Sequence, residues 1–130
     1  MRTGFPTFLL GVLLLAAPAS AGEADVVDAR ARRTADGSWR FEVTVRHADT
    51  GWEHYADEWE VLAPDGTLLG ERVLLHPHVE EQPFTRALSG VEIPLGVNRV
   101  RIRAHDSVHG YGGRELVLEL RRGAVATEDR

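Results

Sequence analysis

The sequence predicts an all-β protein, an antiparallel two-sheet sandwich of about seven strands. Three observations predict it. Apolar residues recur at every second position in several short runs, and Gly, Pro and Asp turn signals punctuate those runs at close intervals. No stretch of useful length carries the 3.6-residue period of an amphipathic helix.

The elements follow in order. Val27, Ala29 and Ala31 alternate with Asp28, Arg30 and Arg32 in a first strand, which turns at Asp36-Gly37. Trp39, Phe41, Val43 and Val45 alternate with Arg40, Glu42, Thr44 and Arg46, a half-buried strand with a clean apolar face. After a loop, Trp59 and Val61 start a third strand, ending at Pro64-Asp65-Gly66, and Leu69, Val73 and Leu75 climb back. Phe84 to Leu88 forms the next strand, followed by a connection with Gly90, Pro94 and Gly96. The last hairpin pairs Val100, Ile102 and Ala104 with Leu116, Leu118 and Leu120 across a glycine-rich loop. One local alternative stays open: Trp52, Tyr55, Ala56 and Trp59 fall at helical spacing, and Thr50-x-x-Glu53 has the form of a capping box.

Seven short strands at this spacing predict an immunoglobulin-like or fibronectin type III-like sandwich. The stretch VRIRAHDSVHGYGGRELVLEL (100–120) resembles the final two strands of fibronectin type III domains, and Trp39 on the second strand suits that family. The family's usual tyrosine near the start of the penultimate strand is replaced by Val100. The resemblance implies a fold and no function. HPHVEEQPFTR (76–86) and AHDSVHGYGG (104–113) also resemble motifs of small exported bacterial proteins, a resemblance that implies no activity.

Residues 1–21 have the three parts of a secretory leader: Arg2, the apolar run Phe8 to Ala17, and the small-residue site Ala19-Ser20-Ala21. That apolar run is too short to span a bilayer, and Pro18 breaks it. A second small-residue site follows Ala24, so the mature chain starts at Gly22 or Asp25. The expected organisation is a leader over 1–21, a sandwich over 22–120 and a flexible tail over 121–130, with a periplasmic or secreted destination and no membrane span after cleavage. The 130 residues contain 15 basic residues, all arginine, against 20 acids, with no cysteine and six histidines. This excludes disulfide scaffolds, thiol catalysis and Cys-ligated zinc. An acidic chain without a basic stripe also argues against nucleic acid. Arg99, Arg101 and Arg103 face outward opposite Glu115 and Glu119, as ordinary cross-strand charge pairs.

The histidines are the unusual feature. With the first turn placed at the bottom, His47, His54, His76, His78, His105 and His109 all fall at the top of the sandwich. Asp49, Glu53, Asp57, Glu80, Glu81 and Asp106 lie nearby with Trp52, Tyr55 and Tyr111. Imidazole with carboxylate is ligand chemistry for Cu(II) or Zn(II), and loops at one end of a rigid sandwich are natural binding positions. His76 and His78 form the leading pair, because i, i+2 spacing in extended chain points both rings to one side. His105, pointing outward from its strand opposite to Val100, Ile102 and Ala104, and His109 come from another loop, and His47, His54, Glu81 and Asp106 are additional candidates. Each has a plainer role: His47 continues the inward face of its strand, His54 sits in an acidic loop, and Asp106 can close an Asx turn around His109. Gly110, Gly112 and Gly113 are expected to supply positive φ in a long hairpin.

The expected function is therefore an exported, non-catalytic binding domain whose histidine-rich end holds copper or zinc. The alternative is an interaction module for an envelope or secreted protein, with Trp52, Tyr55, Phe84 and Tyr111 as its contact surface. A cupin-like metal enzyme comes third: Gly70, His76 and His78 match the cupin motif, but the spacing to Glu81 is short. Copper carriers that use an amino-terminal histidine do not fit, since neither cleavage site exposes one.

Overall fold

A computed structural model of the protein describes residues 22–121; the expected leader over 1–21 and the expected tail beyond residue 121 lie outside the described residues. The strands are β1 (Asp25–Arg33), β2 (Trp39–Arg46), β3 (Ala56–Leu62), β4 (Leu68–Val73), β5 (Phe84–Val91), β6 (Arg99–Asp106), β7 (Gly110–Tyr111) and β8 (Leu116–Glu119). They form two antiparallel sheets, β1-β2-β5 and β4-β3-β6, with both β7 and β8 pairing β6. Among the described residues there is no helix, so none is long and apolar enough to cross a membrane.

Alternation builds the core. Trp39, Phe41, Val43 and Val45 of β2 face Trp59 and Val61 of β3 and Val100, Ile102 and Ala104 of β6, all buried in one cluster. The last hairpin has the expected register, with Val100 opposite Leu118 and Ile102 opposite Leu116. Arg101–Glu115 and Arg99–Glu119 pair across it at 2.9 and 3.8 Å, whereas Arg103 turns to Glu60 of β3 at 3.0 Å. Exposed pairs of this kind contribute a few tenths of a kcal/mol at most, roughly the scale of surface ion pairs generally.

The departures from simple alternation have local causes. The β1–β2 register shifts between Val26 and Asp28, so Val26 is fully buried while Ala29 and Ala31 still pack inward. An inserted residue is what lets two inward positions stand three apart. Beyond β4, Leu74 is buried, whereas Val73 and Leu75 on either side of it are exposed. Residues 50–54 form a tight turn, with Thr50 N–H donating to His54 O at 3.0 Å and His54 N–H to Gly51 O at 3.1 Å. The Thr50 hydroxyl does reach Glu53, at 3.0 Å, but in a turn with no helix behind it.

The ends of β2 and β6, the starts of β1, β3 and β5 and the end of β4 share one end of the sandwich, and all six histidines lie there. Asp49 knits that end together. Its Oδ1 accepts from His47 Nδ1 at 2.5 Å and from Ala56 N–H at 3.1 Å, and its Oδ2 accepts from His78 N–H at 2.7 Å. Gln82 does the same from the other side, accepting His47 N–H and donating to His78 O, both at 2.9 Å.

Candidate metal centre

Two inward-facing parities meet at the top of the core. His47 follows Val43 and Val45 on the inner face past the end of β2, and Asp106 follows Ile102 and Ala104 on the inner face of β6. Both are buried, His47 at 3% and Asp106 at 0% exposure. Hydrophobic side chains surround them from below, so their polar atoms point toward the loops. There the 50–54 turn delivers His54, and the loop after Asp106 delivers His109.

Asp106 organises that second loop. Its Oδ1 accepts the backbone N–H groups of Val108 at 2.8 Å and His109 at 2.7 Å. His109 Nδ1 lies 3.2 and 3.3 Å from its two oxygens. Burial opposes ionisation of this carboxyl, but the backbone donors and the His47 imidazole outweigh it and hold the group below the usual carboxylate range.

His47, His54 and Asp106 present ligand atoms that all lie within 4.8 Å of one another. His54 Nε2 is 3.3 Å from Asp106 Oδ1, and His47 Nε2 is 3.8 Å from Asp106 Oδ2. Ligands around a four-coordinate zinc stand about 3.3 Å apart, given metal–nitrogen bonds of about 2.0–2.1 Å. The observed spacing therefore needs only small side-chain adjustments to close on an ion. Asp49 holds Nδ1 of His47, which leaves Nε2 facing the cluster, the orienting role a carboxylate plays behind a metal-bound imidazole. The rings of His54 and His109 lie 4.9 Å apart and are partly exposed, forming the mouth above the buried pair. With imidazole nitrogens and carboxylate oxygens as donors, the set suits Zn(II) or Cu(II).

The backbone carbonyl of Gly22 sits in the same cluster, 3.1 Å from His47 Nε2 and 3.2 Å from His54 Nε2. Sequence reasoning had no signal for this contact. The glycine-rich loop explains it. Of Gly110, Gly112 and Gly113, only Gly110 has positive φ, +75°. Gly112 and Gly113 are small for a different reason: a Cβ on Gly112 would lie 2.7 Å from Glu23 Oε2, and one on Gly113 only 2.0 Å from the Ala24 carbonyl oxygen. They let residues 23–25 lie against the loop, where Val26 N–H donates to Arg114 O and Arg114 N–H to Asp25 Oδ1, both at 2.8 Å.

The structure gathers His47, His54, His109 and Asp106, and places the other sequence candidates elsewhere. His105 faces outward, its Nδ1 2.6 Å from Asp57 Oδ1 and its ring against Tyr111. His76 and His78 remain a pair, with ring centroids 4.7 Å apart, beside a small cavity of about 90 Å³ that Arg72 and Arg86 also line. His78 is buried and stacked on Phe84 at 4.0 Å, with neither ring nitrogen bonded among the described residues. Glu81 is engaged by Arg86 at 3.2 Å. The expected contact surface is also divided. Phe84 is 1% exposed and belongs to the core, because β5 turns it inward opposite Val45. Tyr111 hydroxyl donates to Glu58 at 2.5 Å with Arg103 over its ring, whereas Trp52 is 66% exposed and edge-on to Tyr55. A second acidic group, Glu58, Glu60 and Glu71, lies on the outer face of β3 and β4, where a hydrogen bond and charge from Glu58 push the Glu71 carboxyl up.

His78 carries a pH prediction. Burial, then the Arg86 charge and His76, hold its imidazole below the ordinary value. The unfolded chain, with an imidazole pKa of about 6.5, then binds a proton that the folded chain does not. Stability should be full above that value and fall as pH drops from about 6.5 toward the lowered folded value. His78→Leu should flatten this part of the curve, measured as urea midpoints between about pH 5 and 7.

The chain is 42% identical over 103 residues to a protein of Halomicrobium mukohataei named "Putative lipoprotein". The match covers 79% of this chain and 50% of that protein, so the chain spans about half its relative's length. No family model and no solved structure matches the chain.

Proposed function

We propose that this is an exported β-sandwich domain that binds a divalent transition metal, Cu(II) or Zn(II), through His47, His54, His109 and Asp106. One observation carries the reading: His47, His54 and Asp106, from three separate chain segments, present ligand atoms within 4.8 Å of one another, with His47 and Asp106 buried and the His109 ring 4.9 Å from that of His54. The leader-like residues 1–21 and the lipoprotein name of the relative both support export. The strand order β1-β2-β5 against β4-β3-β6-β8 supports the fibronectin type III-like relationship. Metal and proton compete for the imidazole nitrogens, so affinity should fall as pH is lowered.

Calorimetric titration of the exported protein with Cu(II) and Zn(II) tests the proposal. His54→Ala should weaken binding at least tenfold, whereas His105→Ala and His76→Ala should leave it unchanged. Unchanged affinity in His54→Ala, or no resolvable binding by the parent protein, would overturn it. A second reading, contact with an envelope protein, is favoured by Trp52, exposed and braced by Tyr55 beside the loop that carries His54. A partner retained in the presence of chelator and lost in Trp52→Ala would favour that reading.

A further inference from the structure

The Gly22 carbonyl lies against His47 Nε2 and His54 Nε2 of the candidate metal site, and Gly22 follows directly on the small-residue site Ala19-Ser20-Ala21. We propose that cleavage after Ala21 makes the α-amino group of Gly22 a metal ligand, so that removal of the leader completes the site; this rests on the metal-binding reading above. Hydrolysis of the Ala21–Gly22 peptide by a signal peptidase consumes one water. Ala21 leaves as a carboxylate, and Gly22 gains an amine whose lone pair is free once it loses its proton. Before cleavage the same nitrogen is an amide, whose lone pair is delocalised into the carbonyl.

Three features position that amine. Gly22 O lies 3.1 and 3.2 Å from the two Nε2 atoms, and covalent geometry keeps the amine about 3 Å from its own carbonyl oxygen. Amine and carbonyl of a terminal residue can close a five-membered chelate ring on one ion. The arm that carries Gly22 is clamped: Ala24 is 1% exposed, and its carbonyl oxygen passes where a Cβ on Gly113 would stand, 2.0 Å away. A Cβ at position 22 would stand 2.3 Å from His109 Cε1 and 2.7 Å from its Nε2, so any side chain there would displace the His109 ring. Cleavage after Ala24 would discard Gly22 and cut into the core cluster that Ala24 joins.

The consequence is a site that stays incomplete until processing. A precursor still carrying its leader holds imidazoles and a carboxylate without the terminal amine, and gains its full affinity after export.

The absence of lysine makes the test clean, since the α-amine is the one alkyl amine of the processed chain. The processed protein, its Gly22 terminus verified by intact mass, is titrated with Zn(II) and Cu(II) before and after acetylation, with circular dichroism to confirm the fold. A second form carries a Met-Ala extension before Gly22. We expect at least a 100-fold loss of affinity in both altered forms, and protection of the amine from acetylation by saturating Zn(II). Equal affinity in all three forms would overturn the amine as ligand and leave the histidine and aspartate site standing. No binding by any form would overturn both. An intact mass that begins at Asp25 would overturn the inference directly.

Discussion

Asp106→Ala should cost about 3–5 kcal/mol of folding stability, in the range for removing one partner from a buried charged network. The carboxylate is fully buried and accepts from two backbone N–H groups and from the His109 ring, with His54 Nε2 3.3 Å away. Alanine would orphan these donors in a place water reaches poorly, and would release the loop that presents His109. Asp106→Asn keeps the shape and one acceptor oxygen, so it should cost less while still removing the charge a metal needs. Urea unfolding with constant m-values checks both. The pH dependence has a definite sign. A folded carboxyl held below its unfolded value of about 3.9 contributes its stability above that value and loses it as pH falls toward the folded one. Asp106→Asn should remove this acid limb.

Trp59→Ala should cost about as much, roughly 3–5 kcal/mol, through a cavity in the centre of the core. Trp59 has 0% exposure, sits between Val61 and the β6 residue Ala104 opposite it, and cannot be replaced by neighbours held in two sheets. Trp59→Phe should cost far less than its lost volume implies. The indole Nε1 is buried with no acceptor among the described residues, so phenylalanine removes an unsatisfied donor along with the extra ring. Comparing the urea midpoints of the two variants separates the cavity from the polar contribution. Equal losses would contradict this account of the indole.

Much of this was legible in the sequence, because alternation is set by the two-residue repeat of a strand. The β2 face and the β6–β8 register follow from it directly. What alternation cannot show is an inserted residue: the shift at Val26 and the exchange of Leu74 for its neighbours depend on how the sheets close at their edges. The site divides the same way. Topology gathers six histidines at one end, but strand parity decides which of them meet. His47 and Asp106 continue inward runs and converge; His105 lies one residue off that parity and faces Asp57. Parity was thus the available signal for His47 and Asp106. His54 depends on a turn closed by its own backbone, His109 on an Asx turn, and Gly22 on two glycines more than eighty residues away. Contacts of that range have no local signature. His76 and His78 do share one side as their spacing predicts, but stacking on Phe84 draws His78 into the core.

A metal held at the top of the sandwich by the gathered imidazoles and Asp106 would be visible in a crystal structure of the protein grown with Zn(II), using anomalous difference maps at the zinc edge. One dominant peak is expected about 2.0–2.2 Å from His47 Nε2, His54 Nε2 and an Asp106 oxygen. A dominant peak at His76 and His78 or at His105, with the His47–His54–Asp106 cluster unchanged and empty, would contradict it.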